Sequence, residues 1–225
     1  MNNREISDYI YSKLLRKPNI HIFTADNREL DYIKLSTEHN LNIAKKNNFK
    51  YTYINDFDYK EYPPYWMKAF KIRELMNDIN NDYIMWIDSD AILTTNAHEI
   101  YNIIDKLKNQ VFYISKDHPD WMSNGINAGV WIVKNNKLGR KFMDIWLEGY
   151  DKNKWKFIDN KWTCGGSDIN QKDINSSCPW SGYNFEQGYL NHIIENNDFI
   201  HNNIFVFNNN VLNAHYDTKF KNNVI

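Results

Sequence analysis

Short apolar runs rich in β-branched and aromatic residues recur along the chain: NIHIFT (19–24), YTYI (51–54), YIMWI (83–87), VFYIS (111–115), GVWIV (129–133) and IFVF (204–207). Between them apolar residues return at helical spacing. Leu30, Ile33, Thr37, Leu41 and Ala44 form one stripe; Ile72, Leu75, Met76 and Ile79 a second; Ile100, Ile103, Ile104 and Leu107 a third; Leu138, Phe142, Ile145 and Trp146 a fourth. A strand such as YIMWI, apolar throughout, is one that is buried on both faces. The alternation of strand and helix therefore predicts an α/β fold with a mostly parallel central sheet flanked by helices. Periodicity is lost over 151–185, where CGGSDINQKDINSSCPWSGY predicts an irregular lid or acceptor loop. Residues 1–18 read as an N-terminal extension, and the absence of a repeat or linker predicts a single domain over 1–225.

Composition narrows the function more than the fold. At 225 residues with 42% hydrophobic and 16% aromatic content, the chain has ample material for one core. A formal net charge of −1 offers no basic field for nucleic acid. No stretch approaches the roughly 20 apolar residues of a membrane span, and the opening MNNREISDYIYSKLLRKP lacks an apolar signal-peptide region. The expectation is a soluble protein that is not secreted. Cys164 and Cys178 are too few for a disulfide scaffold or a structural zinc site, and a sequon starts at Asn175. Scattered asparagine with Lys, Ile and Tyr points to an AT-rich genome.

The chemistry begins at MWIDSDAIL (85–93). Asp88 and Asp90 follow a buried strand, and an i, i+2 pair on extended backbone points to one side, at the end of the sheet where α/β folds bind ligands. Two adjacent carboxylates are relieved by a shared proton or by a hard divalent cation, Mg²⁺ or Mn²⁺. The plain alternative is one helix cap and one solvated acid. Lys68, in PPYWMKAFKIREL (63–75), stands on the apolar stripe of its helix. It either snorkels to water or faces phosphate together with the helix N-terminus. Asn127, Ala128 and Gly129 open an apolar strand, as a plain turn or as a close approach to ligand. Glu186 and Gln187 start a helix, where an acid is also ordinary helix electrostatics. His215 follows the last strand, with Lys219 after it, and its imidazole suits Mn²⁺ as a third ligand.

The order and spacing of these pieces resemble metal-dependent glycosyltransferases of the GT-A (Rossmann-like) fold. The match is to glycosyltransferase family 34, the α-galactosyl and α-xylosyltransferases, with features of the glycogenin-like family 8. The residues that carry it are YWMKAFKIREL, IMWIDSDAIL, NAGVWIVKN, FEQGYLN and AHY, which together span about residues 20 to 220. In family 8 an Asp commonly stands where Glu186 is, and a glycine commonly follows the late histidine, where this chain has HYDTKF.

The resemblance implies a UDP-sugar donor, a glycan acceptor and retention of anomeric configuration. It implies that Asp90 and His215 hold Mn²⁺ or Mg²⁺, and that Asp88, with Ser89 beside it, serves the metal, the ribose or both. Thr24 and Ala25 would border the base, and Lys68 and Lys219 would neutralise phosphates. Asn127, Ala128 and Gly129 would line the donor sugar, with Glu186 and Gln187 as the catalytic candidates near its anomeric carbon. Trp180 and Tyr183 are candidates for stacking on an acceptor sugar. Eukaryotic members of family 34 carry a membrane anchor, so its absence here leads to the expectation of a bacterial or viral enzyme working in cytoplasm. A phosphatase of the haloacid-dehalogenase type would place its acid pair on the first strand, a carbohydrate-binding module would not need Lys68, and a nucleotidyltransferase would put glycine into FTADNREL (23–30).

Overall fold

The structure is a computed structural model describing residues 16–58, 60–118, 125–164, 182–209 and 211–213. Among these, β1 (Ile20–Ala25), β2 (Lys50–Ile54), β3 (Tyr83–Ile87), β4 (Phe112–Lys116), β5 (Ile126–Lys134) and β8 (Ile204–Phe207) form one sheet in the order β2-β1-β3-β5-β4-β8. β5 runs antiparallel to both neighbours, β3 and β4, and the remaining pairs are parallel. The sheet is thus mostly parallel with one reversed strand, and β3 lies at its centre.

Helices α1 (Asp31–Lys46), α2 (Pro64–Leu75), α3 (Glu99–Lys106), α4 (Lys137–Leu147), α5 (Glu186–Asn196) and α6 (Asp198–Asn203) cover both faces. Ile84 and Trp86 of β3 pack toward α2, α4, α5 and α6, while Tyr83, Met85 and Ile87 pack toward α1 and α3. That two-sided cover is why YIMWI carries no polar residue. The first of these cores is aromatic: Phe112 stacks on Phe142 with ring centroids 4.4 Å apart, and Trp131 meets Trp146 edge-on at 5.3 Å.

Three of the helical stripes are corrected. Leu30, just before α1, and Leu41 within it are exposed, and the buried face is Ile33, Ser36, Thr37, Asn40, Ile43 and Ala44. The polar members are buried because they tie α1 to the loop after β3. Ser36 Oγ donates to the Ser89 carbonyl, Asn40 Nδ2 to the Ala91 carbonyl at 3.0 Å, and Asn40 Oδ1 accepts from the Leu93 amide at 2.7 Å. Helix α2 ends at Leu75, leaving Ile79 outside it and 85% exposed. In α4 Leu138 is exposed, and Gly139 and Met143 join Phe142 and Trp146 on the buried face.

The expected irregular segment is corrected over its described part. Trp155–Ile158 (β6) and Lys161–Cys164 (β7) form an antiparallel hairpin. Its two-residue turn, Asp159 and Asn160, has φ of 49° and 60°, the left-handed pair of a tight hairpin turn that Asp and Asn tolerate. Residues 165–181 lie outside the described residues. No helix among the described residues is long and apolar enough to cross a membrane.

Candidate active site

A cavity of about 770 Å³ opens at the carboxyl ends of β1 and β3, within the size range of small-molecule sites. Its polar end is built from Asp26, Asn27, Arg28, Ser89 and Asp90; Lys68, Trp86 and Asp88 also line it; Phe57, Tyr65, Phe157 and Trp162 form an aromatic end.

The backbone beyond β3 positions the acids. The Asp88 amide donates to the Gly129 carbonyl at 2.8 Å, prolonging the β3–β5 ladder, and the Ala91 amide donates back to the Asp88 carbonyl at 3.0 Å. The chain therefore turns at Asp88, and the expected extended i, i+2 pair is corrected. Both acids still line one cavity, but Asp88 is half-buried and Asp90 exposed.

Asp88 Oδ1 accepts from the Trp86 indole at 2.6 Å and from Lys68 Nζ at 3.4 Å. Gly129 lies against the same carboxylate: a Cβ added there would stand 3.1 Å from Asp88 Oδ2 and 2.9 Å from Asn127 Oδ1. Only a bare Cα admits the acid without displacement.

Lys68 is the hub. Its ammonium is buried, 3.2 Å from Glu186 Oε1, 3.4 Å from Asp88 Oδ1 and 3.0 Å from the Ala128 carbonyl. Three acceptors match its three N–H groups. The ammonium does not snorkel to water: it is held by protein acceptors while the side chain lines the cavity. Burial would lower the Lys68 pKa, but Asp88 and then Glu186 overcome it and hold it above the ordinary lysine range. Burial raises both carboxyls above the usual range, against the pull of Lys68. One ammonium thus serves two acids.

Glu186 and Gln187 open α5 inside the protein instead of on its surface, 2% and 6% exposed. Gln187 Oε1 accepts from the Ala128 amide at 2.9 Å, and the Glu186 carbonyl accepts from the Trp146 indole at 2.8 Å. Glu186 Oε2 and Gln187 Nε2 are buried polar atoms with no partner among the described residues. Such atoms cost folding free energy and mark where a ligand group or water belongs.

Asp26 and Arg28 were not anticipated from sequence. Arg28 clasps the buried Asp26 through Nε at 2.9 Å and a terminal nitrogen at 2.7 Å, and Ser89 Oγ donates to Asp26 Oδ2 at 2.6 Å. Burial alone would raise the Asp26 pKa; hydrogen bonds from Arg28 and Ser89 outweigh it and hold the carboxyl below its usual range. The signal was present, since Asp26 closes β1 as Asp88 closes β3.

Other expectations land elsewhere. Thr24 is fully buried inside β1 and away from the cavity, which Ala25 and the following residues line. Asn127, Ala128 and Gly129 do not line the cavity. Asn127 donates to Asp117 Oδ1 at 3.1 Å and accepts from the Gly129 amide at 2.8 Å and Asn213 Nδ2 at 2.7 Å. Tyr183 packs edge-on against Tyr189 and His192 and does not line the cavity, whereas Phe157 and Trp162 of the hairpin do. Trp180, His215 and Lys219 lie outside the described residues.

Residues 18–120 and 95–223 match the model of a family described as galactosyl transferase GMA12/MNN10 family. The chain is 27% identical over 124 residues to Galactomannan galactosyltransferase 1 of Cyamopsis tetragonoloba, covering 53% of this chain and 26% of that protein. It is 29% identical over 90 residues to Xyloglucan 6-xylosyltransferase 2 of Arabidopsis thaliana, covering 36% of this chain and 18% of that one. The matched stretches thus span about a quarter or less of these relatives. The fold resembles a crystal structure of a glycosyltransferase involved in the glycosylation of the major capsid of PBCV-1, with a TM-score of 0.56 at 16% identity, over 85% of this chain and 83% of that one.

Proposed function

We propose that this chain, which belongs to the galactosyl transferase GMA12/MNN10 family and is a GT-A glycosyltransferase, moves a sugar from a UDP donor to a glycan hydroxyl with retention, aided by a divalent cation. The observation that carries this is the placement of Asp88 and Asp90 in one cavity with Asp26 and Arg28, at the carboxyl ends of the central strands.

Asp88 and Asp90 are the residues that would hold Mn²⁺ or Mg²⁺, and among the described residues no third His, Cys, Asp or Glu joins them. Both acids offer oxygen to the cavity, and Asp88 Oδ2 meets no hydrogen-bond donor among the described residues. Such ions accept one or two carboxylates and complete their shell with substrate phosphate and water. His215 is the proposed further ligand. A divalent ion held by these residues would supply positive charge to stabilise the departing diphosphate.

The chain's own groups do the rest. Lys68 holds Asp88 and Glu186 in place, making it a positioning residue; Lys219 is left as the lysine for phosphate. Asp26 and Arg28, with Ala25, form the end that receives base and ribose. Glu186 and Gln187 do not line the cavity but stand buried behind Lys68, and their unpaired Oε2 and Nε2 are the groups proposed to serve the donor sugar near its anomeric carbon. Polysaccharide acceptors fit a chain whose relatives are named for galactomannan and xyloglucan.

A thermal-shift titration with UDP, with and without Mn²⁺, tests the reading. A shift that needs the metal and disappears in Asp90→Ala supports it; equal shifts with and without metal count against it.

A further inference from the structure

The β6–β7 hairpin brings an aromatic wall into the cavity that the donor chemistry does not use. Phe157 and Trp162 are cross-strand partners with ring centroids 5.5 Å apart, and both line the cavity with Phe57 and Tyr65. Because side chains alternate along a strand, the same face carries Trp155, which is 3% exposed, while Lys156 and Ile158 are exposed. The hairpin is hung from the residues that precede Glu186. The Trp155 indole donates to the Asn184 carbonyl at 3.1 Å, the Trp66 indole donates to the same oxygen at 2.9 Å, and Trp155 meets Phe185 edge-on at 5.0 Å. The wall is thereby held in register with the start of α5.

We propose that Phe157 and Trp162 form the acceptor subsite, a platform for a pyranose ring of a glycan. This rests on the donor occupying the polar end. A pyranose has a C–H face and a hydroxyl edge. Aromatic rings take the face by dispersion and weak C–H contacts, and Asn160 and Lys161, which line the cavity at the turn, offer donors to the edge.

The test uses the full chain, isothermal titration with cellotetraose, mannotetraose and maltotetraose in the presence of UDP and Mn²⁺, and the UDP thermal shift on the same samples. At least one tetrasaccharide binds, and Phe157→Ala and Trp162→Leu each weaken it by about tenfold or more, while Trp162→Phe retains most of the affinity. The UDP shift is unchanged in all variants, and their circular dichroism reports whether the hairpin variants fold. Binding by none of the three sugars, or equal binding in folded Phe157→Ala and Trp162→Leu, overturns the platform. Loss of the UDP shift in those variants also overturns it, by showing that the base stacks there. Aromatic-dependent sugar binding without any UDP shift in the native chain leaves the platform standing and removes the donor reading instead.

Discussion

Lys68 Nζ lies 3.2 Å from Glu186 Oε1, joining the second turn of α2 to the first turn of α5 inside the protein, and the same ammonium reaches Asp88 at the end of β3. Three segments distant in sequence meet on one cation, so its removal is expected to be felt in both stability and activity.

Lys68→Met leaves two acids without their cation. Removing one partner of a buried pair costs about 3–5 kcal/mol. The sign with pH follows from the carboxyls, which are already raised in the folded state. A raised group favours the folded state fully below its unfolded pKa, and this is lost as pH rises through the folded value. Urea denaturation should show the variant's deficit growing toward pH 8 and shrinking toward pH 5; a deficit independent of pH contradicts the shared-cation arrangement.

Glu186→Gln removes the surplus negative charge while Lys68 keeps Asp88. Its stability at pH 8 should match or exceed the native chain, whereas transfer from a UDP-sugar donor should fall by about 10²-fold, the scale of a lost catalytic carboxylate. Native-like activity in this variant would remove Glu186 from the chemistry.

Gly129→Ala drives a methyl against Asp88 Oδ2 and Asn127 Oδ1. Overpacking of this kind costs roughly 1–3 kcal/mol. The Mn²⁺-dependent part of the UDP shift should weaken as well, because the carboxylate must move.

Asp26→Asn tests the polar end. The Asp26 carboxyl is held low by Arg28 and Ser89, so its contribution is present above the unfolded pKa and disappears as pH falls through the folded one. The variant should be less stable by about 2 kcal/mol near neutrality. The gap to the native chain should close as pH drops below the ordinary carboxylate value of about 3.9. A gap that persists in acid would point to packing instead of charge.

Much was legible in the chain because it depends on local pattern. The apolar runs at Tyr83–Ile87 and Ile204–Phe207 coincide with β3 and β8 residue for residue, since unbroken β-branched and aromatic runs favour strands in a covered sheet. Lys68, Asp88 and Asp90 were singled out as chemistry, and the fold brings them to one cavity. The hairpin was missed although Trp155, Phe157 and Trp162 alternate around Asp159 and Asn160, because the Gly and Ser that follow dominate the segment's composition. The polar face of α1 was missed because counting apolar residues cannot register Ser36 and Asn40, whose burial is justified only by the loop they hold.

By itself the sequence determined the alternating elements, the central strand and the carboxylates at its end, because backbone periodicity and side-chain polarity are properties of neighbours. Tertiary structure alone decided that Lys68 is shared between Asp88 and Glu186, that Asp26 is clasped by Arg28, and that the hairpin walls the cavity. Those outcomes depend on which distant groups are buried together, where the low polarity of the interior makes an unpaired charge too costly to leave alone.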